Sequence, residues 1–258
     1  MSPGASSTAP AETPIVWFDR IDSTNAEARR RAEAGEGGPL WLAARAQDAG
    51  RGRRARAWTS EPGNLFATLL TATRRPAAEA AQVSFIAALA VAELLDAFTE
   101  AGRVAIKWPN DVLLDGKKAS GILIESGQRA QGGVWLAIGI GVNLAHAPDD
   151  TERPAIALAQ ALRPDLAHTP TPEMALTVLA DSLAAWMGRW DAYGFAPVLD
   201  AWTRRAGGLQ GPCVARLDHE TLAGTAEGVA EDGSLRLRLG DGSLRLISAG
   251  DVFFGTVA

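Results

Sequence analysis

The pair Gly207-Gly208 divides the chain into two stretches of different periodicity, and this division limits what it can fold into. Before the pair, short apolar runs alternate with segments of helical spacing. After it, from Gly211 on, the period is two: Ser234–Leu239 alternates polar and apolar residues, Gly240-Asp241-Gly242 turns, and Ser243–Ile247 alternates again. Such a run of short strands reads as a small barrel. The expectation is an α+β protein, with a mixed β-sheet flanked by helices over 14–206 and a small β domain over 207–258. Residues 1–13, small and polar with Pro and Gly, read as a disordered tail. They lack the basic start and apolar run of a signal peptide, and the tail leaves no room for a helix-turn-helix module.

Within the first stretch, Ile15–Phe18 reads as a strand. Asp22-Ser23-Thr24-Asn25 opens a helix, with Thr24 and Glu27 at capping-box spacing and Gly35 as its stop. Strands are expected at Leu40–Ala46, Asn64–Ala72, Val104–Trp108 and Val112–Leu114, with a turn at Asp115-Gly116. A strand pair is expected from Gly121–Glu125 and Val134–Ile140. Helices are expected at Glu79–Glu100, Ala155–Leu162, Pro172–Tyr193 and Ala196–Arg205.

Composition excludes several classes. No apolar run reaches the ~20 residues that a bilayer span needs. A single cysteine, Cys213, excludes an internal disulfide and suits a cytoplasmic protein. The net charge of −5 argues against a dedicated nucleic-acid binder. The chain carries 22 arginines but only three lysines, Lys107, Lys117 and Lys118, and only four asparagines, Asn25, Asn64, Asn110 and Asn143. A composition that replaces Lys and Asn wherever it can leaves them where chemistry requires them. A compact ammonium is not interchangeable with a planar guanidinium.

Five segments carry chemistry. Gly50–Arg56 holds four arginines and two glycines before Trp58. Guanidinium forks and approachable backbone N–H groups suit phosphate oxygens, and an indole can close over a ligand. The residues alone leave a phosphate cradle, a solvated turn and a nucleic-acid patch open. Lys107-Trp-Pro-Asn-Asp111 ends an apolar strand, so Lys107 is expected to point inward and meet an anion. Lys117-Lys118 followed by Gly121–Glu125 reads either as a charged hairpin turn or, through Gly121, as a strand that something approaches closely. Gly139-Ile-Gly-Val-Asn143 lacks the spacing of a dinucleotide fingerprint and reads as a strand end packed on a ligand. Asp22–Asn25 by itself is a helix cap. The three histidines show no metal-ligand spacing.

Taken together and in this order, these segments resemble the biotin–protein ligase family over about residues 15 to 145. The tail around Ile247–Val252 resembles that family's SH3-like C-terminal domain. The resemblance implies a class II synthetase-like catalytic domain, ATP, biotin and Mg²⁺, and attachment of biotin to a lysine of a biotin carboxyl carrier domain through biotinyl-5′-AMP. Some members of the family also bind DNA through an N-terminal domain; the acidity, the missing helix-turn-helix module and the absence of a spanning run make the expectation here a monofunctional form with neither nucleic acid nor membrane as partner, acting as monomer or homodimer. By the resemblance, Ser23, Thr24, Asn25, Gln47, Arg51, Gly52, Arg53, Lys107 and Gly121 bind biotin. Arg51, Arg53, Arg54, Arg56, Trp58, Asn110 and Asn143 serve ATP, and Lys107 and Arg53 are catalytic. Lipoate–protein ligase or octanoyltransferase is the sister reading, and a non-catalytic nucleotide-binding module is another. Ala55 stands where the family loop usually has Gly, which costs about 1 kcal/mol if the position needs positive φ.

Overall fold

The computed structural model describes residues 13–149, 151 and 153–255. All but the last residue of the expected N-terminal tail therefore lies outside the described residues.

Apolar alternation builds a seven-stranded mixed sheet. Its strands are β1 (Ile15–Phe18), β2 (Leu40–Ala44), β3 (Leu65–Thr73), β4 (Val104–Lys107), β5 (Asp111–Leu114), β6 (Lys117–Gln128) and β7 (Val134–Val142). They lie in the order β1-β2-β3-β7-β6-β5-β4. The β1–β2 pair is parallel and the rest are antiparallel. Helix α1 (Thr24–Glu33) joins β1 to β2. Helix α2 (Val83–Asp96) follows β3, and α3 (Pro172–Tyr193) and α4 (Ala196–Arg204) follow β7.

Alternation sorts the sheet's side chains onto two faces. Trp41, Ala43, Leu65, Ala67, Leu136, Ile138 and Ile140 join the main core with α2, α3 and α4. Helix α2 is Ala-rich and almost wholly buried, so it packs close to the sheet on one side and α3 on the other. Leu40, Leu42, Leu70, Trp135 and Ala137 face the other way, toward Ala28 of α1.

Three expectations change in the structure. The N-cap of α1 is Ser23, whose Oγ accepts from Ala26 N at 3.4 Å, while Glu27 pairs with Arg30 and Arg31. The long helix expected from Glu79 is a 3₁₀ turn over Ala77–Gln82 followed by α2, which ends at Asp96. The helix expected at Ala155–Leu162 is only a 3₁₀ turn, Leu158–Gln160. Its first residues are taken up by the sheet: Lys118 N donates to Pro154 O and Ile156 N to Lys118 O, which fixes this stretch as extended chain.

The last strands, β8 (Gly211–Arg216), β9 (Thr221–Val229), β10 (Leu235–Leu239), β11 (Leu244–Ile247) and β12 (Asp251–Phe254), form an antiparallel sheet ordered β11-β10-β9-β8-β12. This sheet docks beside β4. Trp108 Nε1 donates to Gly233 O at 3.0 Å, and Gly207 N to Ile106 O at 2.8 Å.

Candidate functional site

A cavity of about 250 Å³ opens beside α1, over the centre of the seven-stranded sheet. Its floor is made by removing side chains. Along β7 the face toward α1 reads Trp135, Ala137, Gly139, Gly141. Gly121 of β6 pairs directly with Gly141, so the two bare positions lie together. The indole of Trp58 lies on them: a Cβ at Gly121 would sit 2.8 Å from its ring, and one at Gly141 2.6 Å. The close approach expected at Gly121 is thus made by the protein's own tryptophan.

A break in register brings Lys118 to this face. Three residues apart, Lys118 and Gly121 belong on opposite faces of a regular strand. The β5–β6 ladder shifts between Val112 and Leu113, leaving Lys118 opposite Leu113, and the bulge turns Lys118 onto the face of Asp111 and Gly121. Lys118 Nζ lies 2.7 Å from Asp111 Oδ1 and 5.4 Å from the Trp58 ring centroid. Arg153, from the extended stretch after β7, holds the other Asp111 oxygen at 3.3 Å. It also donates to Val252 O at 3.1 Å and stacks on Phe253.

At the opposite end, the start of α1 supplies Ser23, Thr24 and Asn25, all buried. Thr24 N donates to Gln47 Oε1 at 2.8 Å, and Gln47 Nε2 donates to Ser60 Oγ at 2.9 Å. The Asn25 amide turns inward, with Nδ2 donating to Glu125 at 2.8 Å and to Leu123 O at 3.3 Å. Phe66 and Leu123, on the same face as Gly141 and Gly139, give the cavity its apolar wall.

The arginine loop closes the mouth. Arg51, Gly52, Arg53 and Arg56 line the cavity. Arg53 donates to Asn110 Oδ1 at 3.2 Å, and burial lowers its pKa from the usual guanidinium value. Arg54 pairs with Asp218, in the turn between β8 and β9, and with Asp251 of β12. Arg56 also reaches Asp251. Burial opposes ionisation of Asp251, but Arg56 and Arg54 outweigh it and hold the carboxyl below its ordinary pKa. Arg54 and Ala55 both adopt positive φ, 54° and 56°. The position where the family loop usually has Gly is therefore one that Ala occupies under strain.

Most residues singled out in the sequence meet at this one cavity: Ser23, Thr24, Asn25, Gln47, Arg51, Gly52, Arg53, Arg56, Trp58, Asn110, Gly121 and Asn143. Asn143 spends its amide on the Lys118 and Ile156 carbonyls. Two of the expected residues are not on the lining, Arg54 and Lys107. Lys107 pairs with Asp111 across the β4–β5 ladder, one strand too far out, and its amine lies 5.9 Å from the Phe253 ring centroid under the second sheet. Burial, reinforced by Arg153, pushes that amine down to about 8. Lys118, Asp111, Arg153 and Asp251 were not among the expected site residues. The scarcity of lysine pointed to Lys118 as strongly as to Lys107. Arg153 and Asp251 carried no comparable signal in a chain rich in both residue types.

Buried donors without hydrogen-bond partners gather here. Of the four such atoms among the described residues, three line the cavity: Arg51 Nη2, Arg153 Nε and Trp58 Nε1. Buried N–H groups of this kind call for an acceptor, and two of the three are cationic.

Comparison with known proteins places the chain among enzymes. Residues 17–143 match the model of the biotin/lipoate A/B protein ligase family, and 212–255 match the biotin protein ligase C-terminal domain. A biotin–[acetyl-CoA-carboxylase] ligase of Paracoccus denitrificans is 45% identical over 92% of this chain and 98% of its own length. The bifunctional ligase/repressor BirA of Bacillus subtilis is 29% identical over 91% of this chain and 72% of its own. Among solved structures, the biotin protein ligase of Aquifex aeolicus in complex with biotin and ATP shares the fold. Its TM-score is 0.77 at 22% identity, covering 94% of this chain and 99% of that one.

Two outcomes follow from the geometry. Ala55→Gly removes about 1 kcal/mol of left-handed strain, so tryptic cleavage within 51–56 slows severalfold; unchanged cleavage would show that the loop does not hold this conformation. Lys107→Met removes the cost of burying an ammonium. Below pH 8 the wild-type amine is charged folded and unfolded, and the cost is full. Between about 8 and 10.5 the folded amine loses its proton first, so wild-type stability rises with pH. The variant's gain in Tm at pH 7 therefore shrinks toward pH 10.5; a gain independent of pH would refute it.

Proposed function

The chain belongs to the biotin/lipoate A/B protein ligase family, and from that premise we infer that it joins biotin to a lysine of a biotin carboxyl carrier protein at the expense of ATP. The observation that carries this reading is the set of buried donors without a hydrogen bond, Arg51 Nη2, Arg153 Nε and Trp58 Nε1, in a cavity that also holds an apolar wall and a polar end. Such a cavity suits a ligand with a hydrogen-bonding head, an aliphatic middle and an anionic tail.

Two anions must meet before reaction, the biotin carboxylate and the ATP α-phosphate. Their repulsion is the barrier that fixed positive charge lowers. A carboxylate oxygen attacks the α-phosphorus, the bond to the β-phosphate oxygen breaks, and pyrophosphate leaves. The carrier amine then attacks the acyl carbon of biotinyl-5′-AMP, the anhydride bond breaks, and AMP leaves. We assign Lys118 to the charge at the meeting point, because its ammonium is on the cavity wall and Lys107 is not. Arg51, Arg53 and Arg56 cover the two substrates, and Trp58 and Arg153 serve the nucleotide end. Ser23, Thr24 and Gln47 take the ring of biotin.

Mg²⁺ belongs to the nucleotide in this reading. The cavity carboxylates are already engaged, Asp111 by Lys118 and Arg153 and Asp251 by Arg54 and Arg56. Among the described residues no cluster of three or more metal-ligating side chains occurs. A hydrated Mg²⁺ held by phosphates needs no such cluster.

The test is pyrophosphate release from ATP and Mg²⁺ without carrier, expected with biotin and absent with lipoate. Release with lipoate alone would move the chain to the sister branch. Lys118→Ala is expected to slow release by about 10²-fold or more, and Lys107→Ala by much less; the reverse order would return the role to Lys107. Arg53→Gly opens the loop, so biotinyl-5′-AMP escapes into solution before the carrier arrives; an intermediate retained as in wild type would refute the covering role.

A further inference from the structure

The polar end of the cavity contains a chain of hydrogen bonds that can run in only one direction. A Cβ at Gly139 would lie 2.0 Å from Asn25 Oδ1, so the Asn25 amide occupies the space this glycine leaves on β7. Asn25 Nδ2 faces the Glu125 carboxyl group and the Leu123 carbonyl, and a backbone carbonyl oxygen can only accept. That fixes the amide's orientation and leaves Oδ1 as an acceptor. Its partner is Thr68 Oγ1, at 2.7 Å. Thr68 is fully buried on β3, directly across the ladder from Gly139.

Thr68 has one hydroxyl proton, and Asn25 takes it. The same oxygen lies 2.8 Å from Thr24 Oγ1. Both short contacts contain a proton only if Thr24 donates to Thr68 and Thr68 donates to Asn25. Any other assignment leaves two oxygens facing each other at 2.7 or 2.8 Å with nothing between them. The longest of these contacts, Thr24 Oγ1 to Gln47 Oε1 at 3.2 Å, then holds no proton. The Gln47 amide is fixed as well, because Oε1 accepts from Thr24 N and Nε2 donates to Ser60. Thr24 Oγ1 and Gln47 Oε1 therefore meet the cavity side by side as acceptors.

We propose that Thr68, through the relay Glu125–Asn25–Thr68, holds Thr24 as a hydrogen-bond acceptor and so selects a ligand head that donates N–H. Thr68 is a positioning residue and sits behind the cavity wall. The inference rests on the biotin reading and explains its choice of acid. A cyclic urea offers two N–H donors. A dithiolane or the end of an acyl chain offers none and would leave the buried Thr24 oxygen and the second lone pair of Gln47 Oε1 without a donor, the kind of mismatch by which a polar site rejects analogues. Thr68→Val breaks the relay and frees the Thr24 proton to turn toward Gln47 or the ligand.

The experiment is calorimetric titration of the full chain with biotin, desthiobiotin (which keeps the urea and lacks the thioether) and octanoate, joined to kcat and KM from pyrophosphate release. Thr68→Val is expected to weaken biotin and desthiobiotin alike by about tenfold, with kcat at saturation unchanged. Thr68→Ser, which keeps the hydroxyl, is expected to match wild type. Equal binding by wild type and Thr68→Val overturns the relay. Thr68→Ser as weak as Thr68→Val reduces the site to packing and overturns it too. Should Thr68→Val not fold, Asn25→Ala decides: it takes away the acceptor that holds the Thr68 proton, freeing Thr68 to donate to Thr24, with weaker biotin binding expected and unchanged binding overturning. Wild-type protein that binds no biotin would instead sink the ligase reading, which separates the two failures.

Discussion

Concentrated positive charge is the constraint on which the rest of this structure depends. Arg51, Arg53, Arg56, Lys118 and Arg153 line one cavity, and several of their neighbours are buried. Unbalanced, they would repel one another across a low-dielectric space. Three carboxylates from different elements offset them: Glu125 of β6 lies 3.6 Å from Arg51, Asp111 of β5 holds Lys118 and Arg153, and Asp251 of β12 holds Arg56. The balance is incomplete, since Arg51 Nη2, at ion-pair distance from Glu125, and Arg153 Nε each remain buried without a hydrogen-bond acceptor. The result is a folded protein whose unsatisfied donors are those an anionic substrate would satisfy.

Placing that charge requires backbone without side chains. The row Asp111, Gly121, Gly141, Phe66 runs across four strands on one face of the sheet. Its two glycines let Trp58 lie flat where ordinary residues would lift it. Two residues back along β7, Gly139 makes room for Asn25, and the bulge in β6 delivers Lys118. Each device is local, yet all of them depend on the same antiparallel register. A one-residue slip between β6 and β7 would bury the glycines and lift the apolar positions into the cavity.

Much of this was legible in the sequence. Alternation located most strands within a residue or two, and the glycine spacing marked the floor. What periodicity could not supply was the third dimension of irregular pieces. Lys118 was hidden because strict alternation puts it on the wrong face, and only the bulge corrects that. Lys107 attracted attention for a sound reason, an ammonium ending a buried strand. Its amine lies over the Phe253 ring of a distant strand, which no local pattern reveals. Ala155–Leu162 had helical spacing, but hydrogen bonds to Lys118 won that stretch for the sheet edge. Thr68 is one threonine among many apolar neighbours, and its importance appears only once Gly139, Asn25 and Thr24 surround it.

The second sheet then has a reason to be where it is. Strand β12 gives Asp251 to the arginine loop, the Val252 carbonyl to Arg153 and the Phe253 ring to Arg153 and Lys107. Without β12, Arg153 would lose both its stacking partner and one of its two acceptors, and its grip on Asp111 would be left to a flexible side chain with more freedom to lose on binding. Asp111 in turn orients Lys118. A path of direct contacts therefore runs from the small sheet through Phe253, Arg153 and Asp111 to the ammonium on the cavity wall. The break in periodicity at Gly207-Gly208 separates two patterns of folding, but the cavity is built from both sides of it.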